Sequence, residues 1–262
     1  MWSYGDIIMI DSHAHLDIQD FDKDRAEVIK RAVDGGLTHM ITIGIDLDSS
    51  RKAIELAGKY PFIYASVGYH PHNAGDCDAQ ALSRLEQMAS DQKVVAWGEI
   101  GLDFYRRYAP RDEQVRAFEQ QLKLAGDLNL PVIIHDREAH EEVFNRLKKM
   151  GRGERMGVIH CYSGDRVLAD ALIDLGYYIS VPGTVTYKKA DQIKDVAAGI
   201  PMERMLIETD APFLTPEPKR GKRNEPLFVT YTAREIARLR NISFEEVALK
   251  TAENAKTLFG LV

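Results

Sequence analysis

The sequence has few cysteines and no long apolar run. Its two cysteines, Cys77 and Cys161, form neither a CxxC pair nor a disulfide framework. The apolar stretch Ile7–Ile10 has the size of a strand and is too short to cross a bilayer, and residues 1–6 lack the basic segment of a secretory signal. We therefore expect a protein of the reducing cytoplasm that has no membrane partner.

An excess of basic residues is also absent. The chain has 34 basic and 40 acidic residues and a net charge of -6, which argues against a broad surface for long duplex nucleic acid but permits a local basic groove. Its 262 residues match one barrel of roughly 250 residues, and no Ser/Gly linker interrupts them. We predict a single domain over residues 1–262, with residues 1–8 a dispensable extension if Met9 is the start.

Short β-branched runs alternate with stretches of helical spacing along the chain. The runs with the character of strands are Ile7–Asp11, Met40–Ile45, Ile63–Gly68, Val94–Gly98, Val132–His135, Val158–His160, Tyr177–Val181 and Met205–Glu208. The stretches with helical spacing are Arg25–Val33, Ser50–Lys59, Ala79–Ala89, Arg111–Leu128, Glu138–Met150, Val167–Leu175, Lys188–Ala198, Phe228–Leu239 and Phe244–Phe259. This alternation predicts an α/β fold, a single (βα)8 TIM barrel of parallel strands.

Potential metal ligands stand at the ends of these predicted strands. They are His13, His15, Glu99, His135, His160 and Asp210. A structural zinc site gathers its ligands locally, whereas these residues are spread over most of the chain. Because the strand ends of a barrel converge on one mouth, the pattern predicts a catalytic metal centre.

Each of these residues is weak evidence by itself. Two histidines on a polar turn often have no function, and a lone histidine at a strand end is more often a satisfied hydrogen-bonding residue. Glu99 is more informative, because a carboxylate after so apolar a strand is costly to desolvate, and a bridge between two cations would stabilise it. We expect Asp103 to have a supporting or structural role.

Six ordered motifs closely resemble the TatD family of metal-dependent deoxyribonucleases. They are His13-Ala14-His15, Gly68-Tyr69-His70-Pro71-His72, Gly98-Glu99-Ile100-Gly101-Leu102-Asp103, His160-Cys161-Tyr162-Ser163-Gly164, Glu208-Thr209-Asp210-Ala211-Pro212 and Arg223-Asn224-Glu225-Pro226. The resemblance extends from about Asp11 to Phe259 and implies an amidohydrolase-like TIM barrel with two divalent cations. Tyr162 departs from the family, which often has Phe there.

The resemblance also implies how the ligands divide. His13, His15 and Asp210 would bind one cation, His135 and His160 the other, and Glu99 would bridge both. Two cations lower the pKa of a shared water toward ~7, which supplies a hydroxide for attack on a phosphodiester. Asp210 would then act as the general base, and Asp210 and Glu99 would be the catalytic residues. The ligand types favour Zn or Mn, whereas the resemblance suggests Mg.

Substrate contacts are expected on the loops around the same mouth. The loop Pro216–Asn224 carries four positive charges in five residues, and phosphate sites of such barrels favour the loops after strands seven and eight. We expect Arg223 and Asn224 to bind substrate there, and His70 and His72 to contact a phosphate or protonate a leaving oxygen. Phe104, Tyr105 and Tyr108 are suited to stacking on bases, but aromatic residues at a barrel rim more often serve packing.

Three functions fit these residues. The first is a phosphodiesterase that hydrolyses DNA, chiefly as a 3′–5′ exonuclease on single-stranded ends. The second is an amide, ester or lactone hydrolase acting on a small substrate, for which the basic loop would have no role. The third is a metal-binding scaffold without activity, against which the dispersed ligands argue. No stable protein partner is implied, and the mode of cleavage, the preference between DNA and RNA, and the oligomeric state stay open.

Overall fold

A computed structural model describes residues 8–153 and 156–261. Within those ranges the strands are β1 (Met9–Ala14), β2 (Leu37–Ile43), β3 (Ile63–Val67), β4 (Val94–Asp103), β5 (Val132–Arg137), β6 (Gly157–Ile159), β7 (Tyr177–Val181) and β8 (Met205–Ile207). The helices are α1 (Arg25–Asp34), α2 (Leu47–Lys59), α3 (Ala79–Met88), α4 (Arg111–Asp127), α5 (His140–Met150), α6 (Arg166–Asp174), α7 (Asp191–Gly199), α8 (Val229–Arg240) and α9 (Phe244–Phe259).

The strands form one parallel sheet whose order follows the chain from β1 to β8. Helices lie between successive strands, as the right-handed crossovers of parallel strands require. The predicted α/β barrel is therefore confirmed. None of the helices in the described ranges combines the length and the hydropathy needed to cross a lipid bilayer.

The sheet closes on itself between β1 and the segment after β8. Ala14 forms a parallel bridge with Ala211, and the N–H of His15 donates to the carbonyl of Ala211 at 2.8 Å. The N–H of Asp210 donates to the carbonyl of His13 at 2.9 Å. This pairing sets the first and last predicted ligands of the chain next to each other.

Buried polar side chains strengthen the same seam. The Thr209 hydroxyl donates to Asp11 Oδ2 at 2.6 Å, and the Thr209 N–H donates to Asp11 Oδ1 at 2.9 Å. The Ser12 hydroxyl donates to the carbonyl of Ile207 at 2.9 Å. Because all these groups are shielded from water, each hydrogen bond satisfies a donor or acceptor that would otherwise be costly to bury.

Apolar side chains fill the inside of the barrel. The buried inner cluster takes residues from seven of the strands, namely Ile10, Ile41, Ile43, Val95, Ile133, Val158, Tyr178 and Leu206. Many of these residues lie near the amino ends of their strands, and Ala252, Leu258 and Phe259 of α9 join the same cluster. Helix α9 therefore covers the amino end of the barrel, which leaves the carboxyl end for the polar residues.

Three strands continue further at their carboxyl ends than the sequence predicts. β1 continues past Asp11 to Ala14, β4 past Gly98 to Asp103, and β5 past His135 to Arg137, so Glu99 lies inside a strand instead of after one. The predicted start of the first strand at Ile7 and residues 1–7 of the predicted extension lie outside the described residues. Helix α5 begins at His140, two residues later than predicted, because Glu138 has a φ of +53° that no α-helix accommodates.

Candidate metal centre

All six predicted ligands meet at the carboxyl end of the barrel. His13 lies in β1, Glu99 in β4 and His135 in β5, whereas the other three follow β1, β6 and β8 directly or within a few residues. The side chains form overlapping groups whose ligand atoms lie within 4.8 Å of one another: His13, His160 and Asp210; His13, His15 and Glu99; His70, Glu99 and His135. Residues far apart in the chain thus share one pocket.

The carboxylate of Glu99 lies at the centre of this cluster. Its Oε1 is 2.8 Å from His135 Nδ1 and 2.8 Å from His160 Nε2. Its Oε2 faces the ring nitrogens of another pair of histidines, 3.5 Å from His13 Nε2 and 3.8 Å from His15 Nε2. The two oxygens of one buried carboxylate therefore face two different pairs of histidines.

A glycine allows β4 to approach β5 at this point. Gly101 has a φ of +146°, and a Cβ built on it would collide with the backbone carbonyl of His135. Only glycine avoids both the strain and the collision. The glycine at position 101 of the motif is therefore required by the structure, because a larger residue there would push Glu99 and His135 apart.

Asp210 completes the group on the side of β1. Its Oδ1 is 3.3 Å from His15 Nε2 and 3.7 Å from His13 Nε2. The residue has a φ of +55°, a left-handed conformation that non-glycine residues rarely adopt and that is concentrated at functional sites. The ring of His13 stacks on that of His160 with centroids 3.9 Å apart, which joins the two sides of the cluster.

His70 belongs to the cluster as well, although the sequence interpretation gave it a substrate contact. Its Nε2 is 3.5 Å from Glu99 Oε1 and 3.3 Å from His135 Nδ1. The signal that points to this position is the second pair of histidines two residues apart, His70 and His72, which repeats the pattern of the first strand.

The donor set fits divalent cations. Imidazole nitrogens approach one another within 3.3 Å at His13 and His15 and within 3.4 Å at His135 and His160. Glu99 Oε2 is buried and has no hydrogen-bond partner among the described residues. A cation would satisfy these converging lone pairs, and mixed imidazole and carboxylate ligands suit Zn, Mn, Fe or Co.

Electrostatics keep the central carboxylate of the cluster ionised. Burial raises the pKa of Glu99, but the charge of His160 and a hydrogen bond from His135 outweigh burial and hold this pKa well below its usual value. Burial lowers the pKa of His70 well below its usual value. Burial also lowers the pKa of His15, His135 and His160, but hydrogen bonds and charges of the neighbouring carboxylates outweigh burial and raise it above its usual value. Metal binding requires an ionised carboxylate and neutral imidazoles, so a cation bound by these three histidines would displace their protons.

Two further carboxylates lie behind the histidines. Asp103 Oδ2 is 3.3 Å from His135 Nε2 and 2.8 Å from His72 Nε2. Glu208 Oε1 is 3.5 Å from His160 Nδ1 and accepts the N–H of Cys161 at 2.6 Å. A carboxylate on the far nitrogen of a metal-facing histidine fixes the orientation of the ring, and this is the role the geometry indicates for Asp103.

The predicted substrate contacts divide between the mouth and the surrounding loops. His72 is partly exposed and lies at the edge of the cluster. Arg223 instead forms a bidentate ion pair with Asp24, in which its Nη2 and Nη1 donate to Oδ2 and Oδ1 at 2.6 and 2.9 Å. Asn224 is fully buried, and its amide donates to the carbonyls of Thr209 and Phe213 at 2.8 and 2.6 Å. Neither Arg223 nor Asn224 belongs to a candidate ligand group.

The basic loop after β8 is exposed at the same end of the barrel. Arg220 and Lys222 are exposed, and the Arg220 guanidinium lies 4.5 Å from the ring centroid of Tyr187. Phe213, three residues after Asp210, is 52% exposed, and the centroid of its ring lies 5.9 Å from that of His15. The mouth therefore has a basic and partly aromatic rim on this side.

Comparison with known proteins identifies the family. The model of the TatD related DNase family matches residues 10–260. The chain belongs to this family. As a TatD-family protein it is a metal-dependent hydrolase with an amidohydrolase-like TIM barrel, as the resemblance of its motifs implied.

Relatives match it over almost their whole length. The uncharacterized metal-dependent hydrolase YabD of Bacillus subtilis is 43% identical, with 96% of this chain and 99% of that protein covered. A protein of Erwinia amylovora named 3'-5' ssDNA/RNA exonuclease TatD is 36% identical, with 97% and 100% covered. The crystal structure of YJJV, a TatD homologue of Escherichia coli K12, superimposes with a TM-score of 0.91 at 33% identity, covering 97% of this chain and 98% of that one.

Proposed function

We propose that this TatD-family hydrolase is a phosphodiesterase that shortens single-stranded DNA from its 3′ end with two divalent cations. The observation that carries the proposal is the position of Glu99, whose two oxygens face separate pairs of histidines. In this assignment His13, His15 and Asp210 would hold one cation, His135 and His160 would hold the other, and Glu99 would contact both.

The cations would supply a hydroxide at neutral pH and neutralise charge on the phosphoryl oxygens. The protein supplies the proton acceptor and the fixed geometry. Burial raises the pKa of Asp210, but the hydrogen bond and charge of His15 outweigh burial, so this pKa stays below its usual value. Asp210 is therefore an ionised carboxylate at neutral pH and can accept a proton from the attacking water.

The exposed cations around the mouth support a polyanionic substrate. Arg220 and Lys222 lie on the rim, whereas the chain as a whole has a net charge of -6. A local basic rim on an acidic protein suits a strand end better than a long duplex. The relatives named as 3'-5' ssDNA/RNA exonucleases support the same substrate class and polarity.

Glu99→Ala tests this proposal on single-stranded DNA labelled at its 5′ end. Protein freed of metal by chelation would be given Mg²⁺, Mn²⁺ or Zn²⁺ in turn. We expect the wild type to shorten the DNA progressively from the 3′ end, and Glu99→Ala to lose about a thousandfold or more in rate, since several kcal/mol of charge stabilisation disappear. Glu86→Ala, an exposed glutamate on α3, is the matched control and should behave as wild type.

The products separate the candidate functions. Internal fragments at early times would show that the protein is an endonuclease and not an exonuclease. Faster shortening of an RNA of the same sequence would show that RNA is the preferred substrate. Hydrolysis of lactones or esters without cleavage of either nucleic acid would favour the small-substrate hydrolase instead. Full activity in the chelated protein would contradict the metal-dependent mechanism.

A further inference from the structure

The segment after β4 exposes two tyrosines at the rim of the mouth. In the segment Phe104–Arg111, Tyr105 is 53% exposed and Tyr108 is 67% exposed. Most of this segment connects β4 to α4 at the carboxyl end of the barrel, where the candidate metal centre lies. Large aromatic side chains with so much free surface are available for a ligand.

Tyr108 is separated from the candidate metal centre by very few side chains. Its ring contacts that of His72 edge to face, with centroids 4.7 Å apart. His72 Nε2 is 2.8 Å from Asp103 Oδ2, and that oxygen is 3.3 Å from His135 Nε2. A molecule that contacts Tyr108 would therefore be next to a phosphodiester bound at the cluster.

Guanidinium groups surround Tyr105. The Arg137 guanidinium lies 4.1 Å from the centroid of its ring, and that of Arg106 lies 5.7 Å from it. Within the described residues, Arg106, Arg107 and Arg137 form no ion pair with an acidic side chain. Their charges are thus available to phosphate groups, and an arginine above an aromatic ring also favours the stacking of a base.

Hydrogen bonds hold the segment in place at both ends. Asp103 Oδ1 accepts the N–H groups of Tyr105 and Arg106 at 3.0 and 2.7 Å. The side-chain amide of Gln114 donates to the carbonyls of Asp103 and Ala109 at 3.0 and 2.9 Å. Binding would therefore require little ordering of the loop, which favours affinity.

We propose that Tyr105 and Tyr108 form a stacking platform for the bases of a single-stranded nucleic acid whose end lies in the metal centre. This inference rests on the proposed phosphodiesterase function and adds a binding site for the nucleotides next to the scissile bond. A tyrosine ring stacks on any base, so the platform binds strands without regard to sequence, as an enzyme that moves along a strand requires.

Binding of an uncleavable strand tests the platform. The probe is a fluorescent oligodeoxythymidylate with phosphorothioate linkages, titrated with the metal-loaded protein and followed by anisotropy. We expect Tyr105→Leu and Tyr108→Leu each to weaken binding roughly tenfold, whereas Tyr105→Phe and Tyr108→Phe bind as wild type because they keep the aromatic face.

Two controls isolate the stacking. Tyr64→Leu removes a half-buried tyrosine near the amino end of β3, beneath the ammonium of Lys93 at 4.6 Å, and should leave binding unchanged. An oligonucleotide of equal length with abasic sugars should bind the wild type more weakly and bind the two leucine variants as it binds the wild type. Thermal unfolding of each variant reports whether it is folded.

Each outcome of the binding experiment supports or overturns the stacking platform. Equal binding of the base-containing strand by folded leucine variants and wild type would overturn the platform while leaving the cleavage experiment with Glu99→Ala untouched. Loss of binding in the phenylalanine variants to the same extent would overturn it too, because their rings stack equally well. Failure of the wild type to bind any strand would overturn the platform and the nuclease function together.

Discussion

At the scale of single residues, the histidine rings of the cluster depend on the carboxylates behind them. His135 presents Nδ1 to Glu99 at 2.8 Å and Nε2 to Asp103 at 3.3 Å, so both ring nitrogens are occupied. Fixing one nitrogen sets the tautomer and the direction of the other, which raises the affinity of the ring for a cation. Asp103 also holds the tyrosine-bearing segment, so one buried carboxylate supports both the metal centre and its rim.

Asp103→Asn should weaken metal binding by about 10- to 100-fold, which is the usual effect of removing such a partner. The amide oxygen can still accept the N–H groups of Tyr105 and Arg106, but an amide nitrogen would face His72 and His135. Titration calorimetry of Mn²⁺ or Zn²⁺ into chelated protein measures the change. Asp136→Asn is the matched control, since Asp136 pairs with His140 at 2.8 Å and neither side chain belongs to a candidate ligand group. An equal loss in both variants, or none in Asp103→Asn, would refute the positioning role.

The candidate ligands were accessible to sequence analysis because barrel geometry brings strand ends together whatever their separation in the chain. The ion pair of Arg223 could not be predicted from the sequence, since its partner Asp24 lies 199 residues earlier and no local pattern links them. Its role in binding substrate stays a prediction, and it requires the ion pair with Asp24 to open. The side chain of Asn224 is directed at backbone carbonyls, so we propose that it shapes the loop after β8.

At the scale of elements, the seam between β1 and β8 positions the first and last ligands. Thr209 bonds to Asp11 through both its N–H and its hydroxyl, and its hydroxyl also accepts the N–H of Ala211 at 3.1 Å. The left-handed turn at Asp210 follows at once. The geometry of the metal centre therefore depends on hydrogen bonds that are not part of it.

Thr209→Val should lower the free energy of unfolding by about 1–3 kcal/mol, because a buried oxygen of Asp11 loses its donor. Urea denaturation of the chelated protein measures this loss without a contribution from bound metal. Thr42→Val is the matched control: Thr42 is a fully buried threonine of β2 whose hydroxyl has no partner among the described residues, so it should be neutral or stabilising. Equal effects of the two substitutions would show that the seam hydrogen bonds contribute nothing.

Strand positions were predicted well because β-branched runs bounded by turns are a strong signal. The carboxyl ends of β1 and β4 were predicted too early, since the polar residues His13, Glu99 and Asp103 resemble loop residues in a sequence. They continue the strands because they are buried in the mouth of the barrel, where other polar side chains surround them. Tertiary contacts thus override local composition at the site itself.

At the scale of the whole molecule, closure of the sheet creates the site. The strands that carry the ligands are held in one ring by backbone hydrogen bonds, while α9 covers the opposite end. The two rims of the mouth differ: the β8 side carries Arg220 and Lys222, and the β4 side carries Tyr105 and Tyr108. The organisation of residues 1–262 as one domain stays a prediction, although all eight described strands belong to a single sheet.

Anomalous X-ray scattering from crystals soaked in Mn²⁺ tests the central claim most directly. We predict two peaks in the mouth of the barrel, one on each side of the Glu99 carboxylate, the first among His13, His15 and Asp210 and the second beside His135 and His160. A single peak on one side of Glu99, or peaks only at other places on the protein, would contradict the two-cation centre.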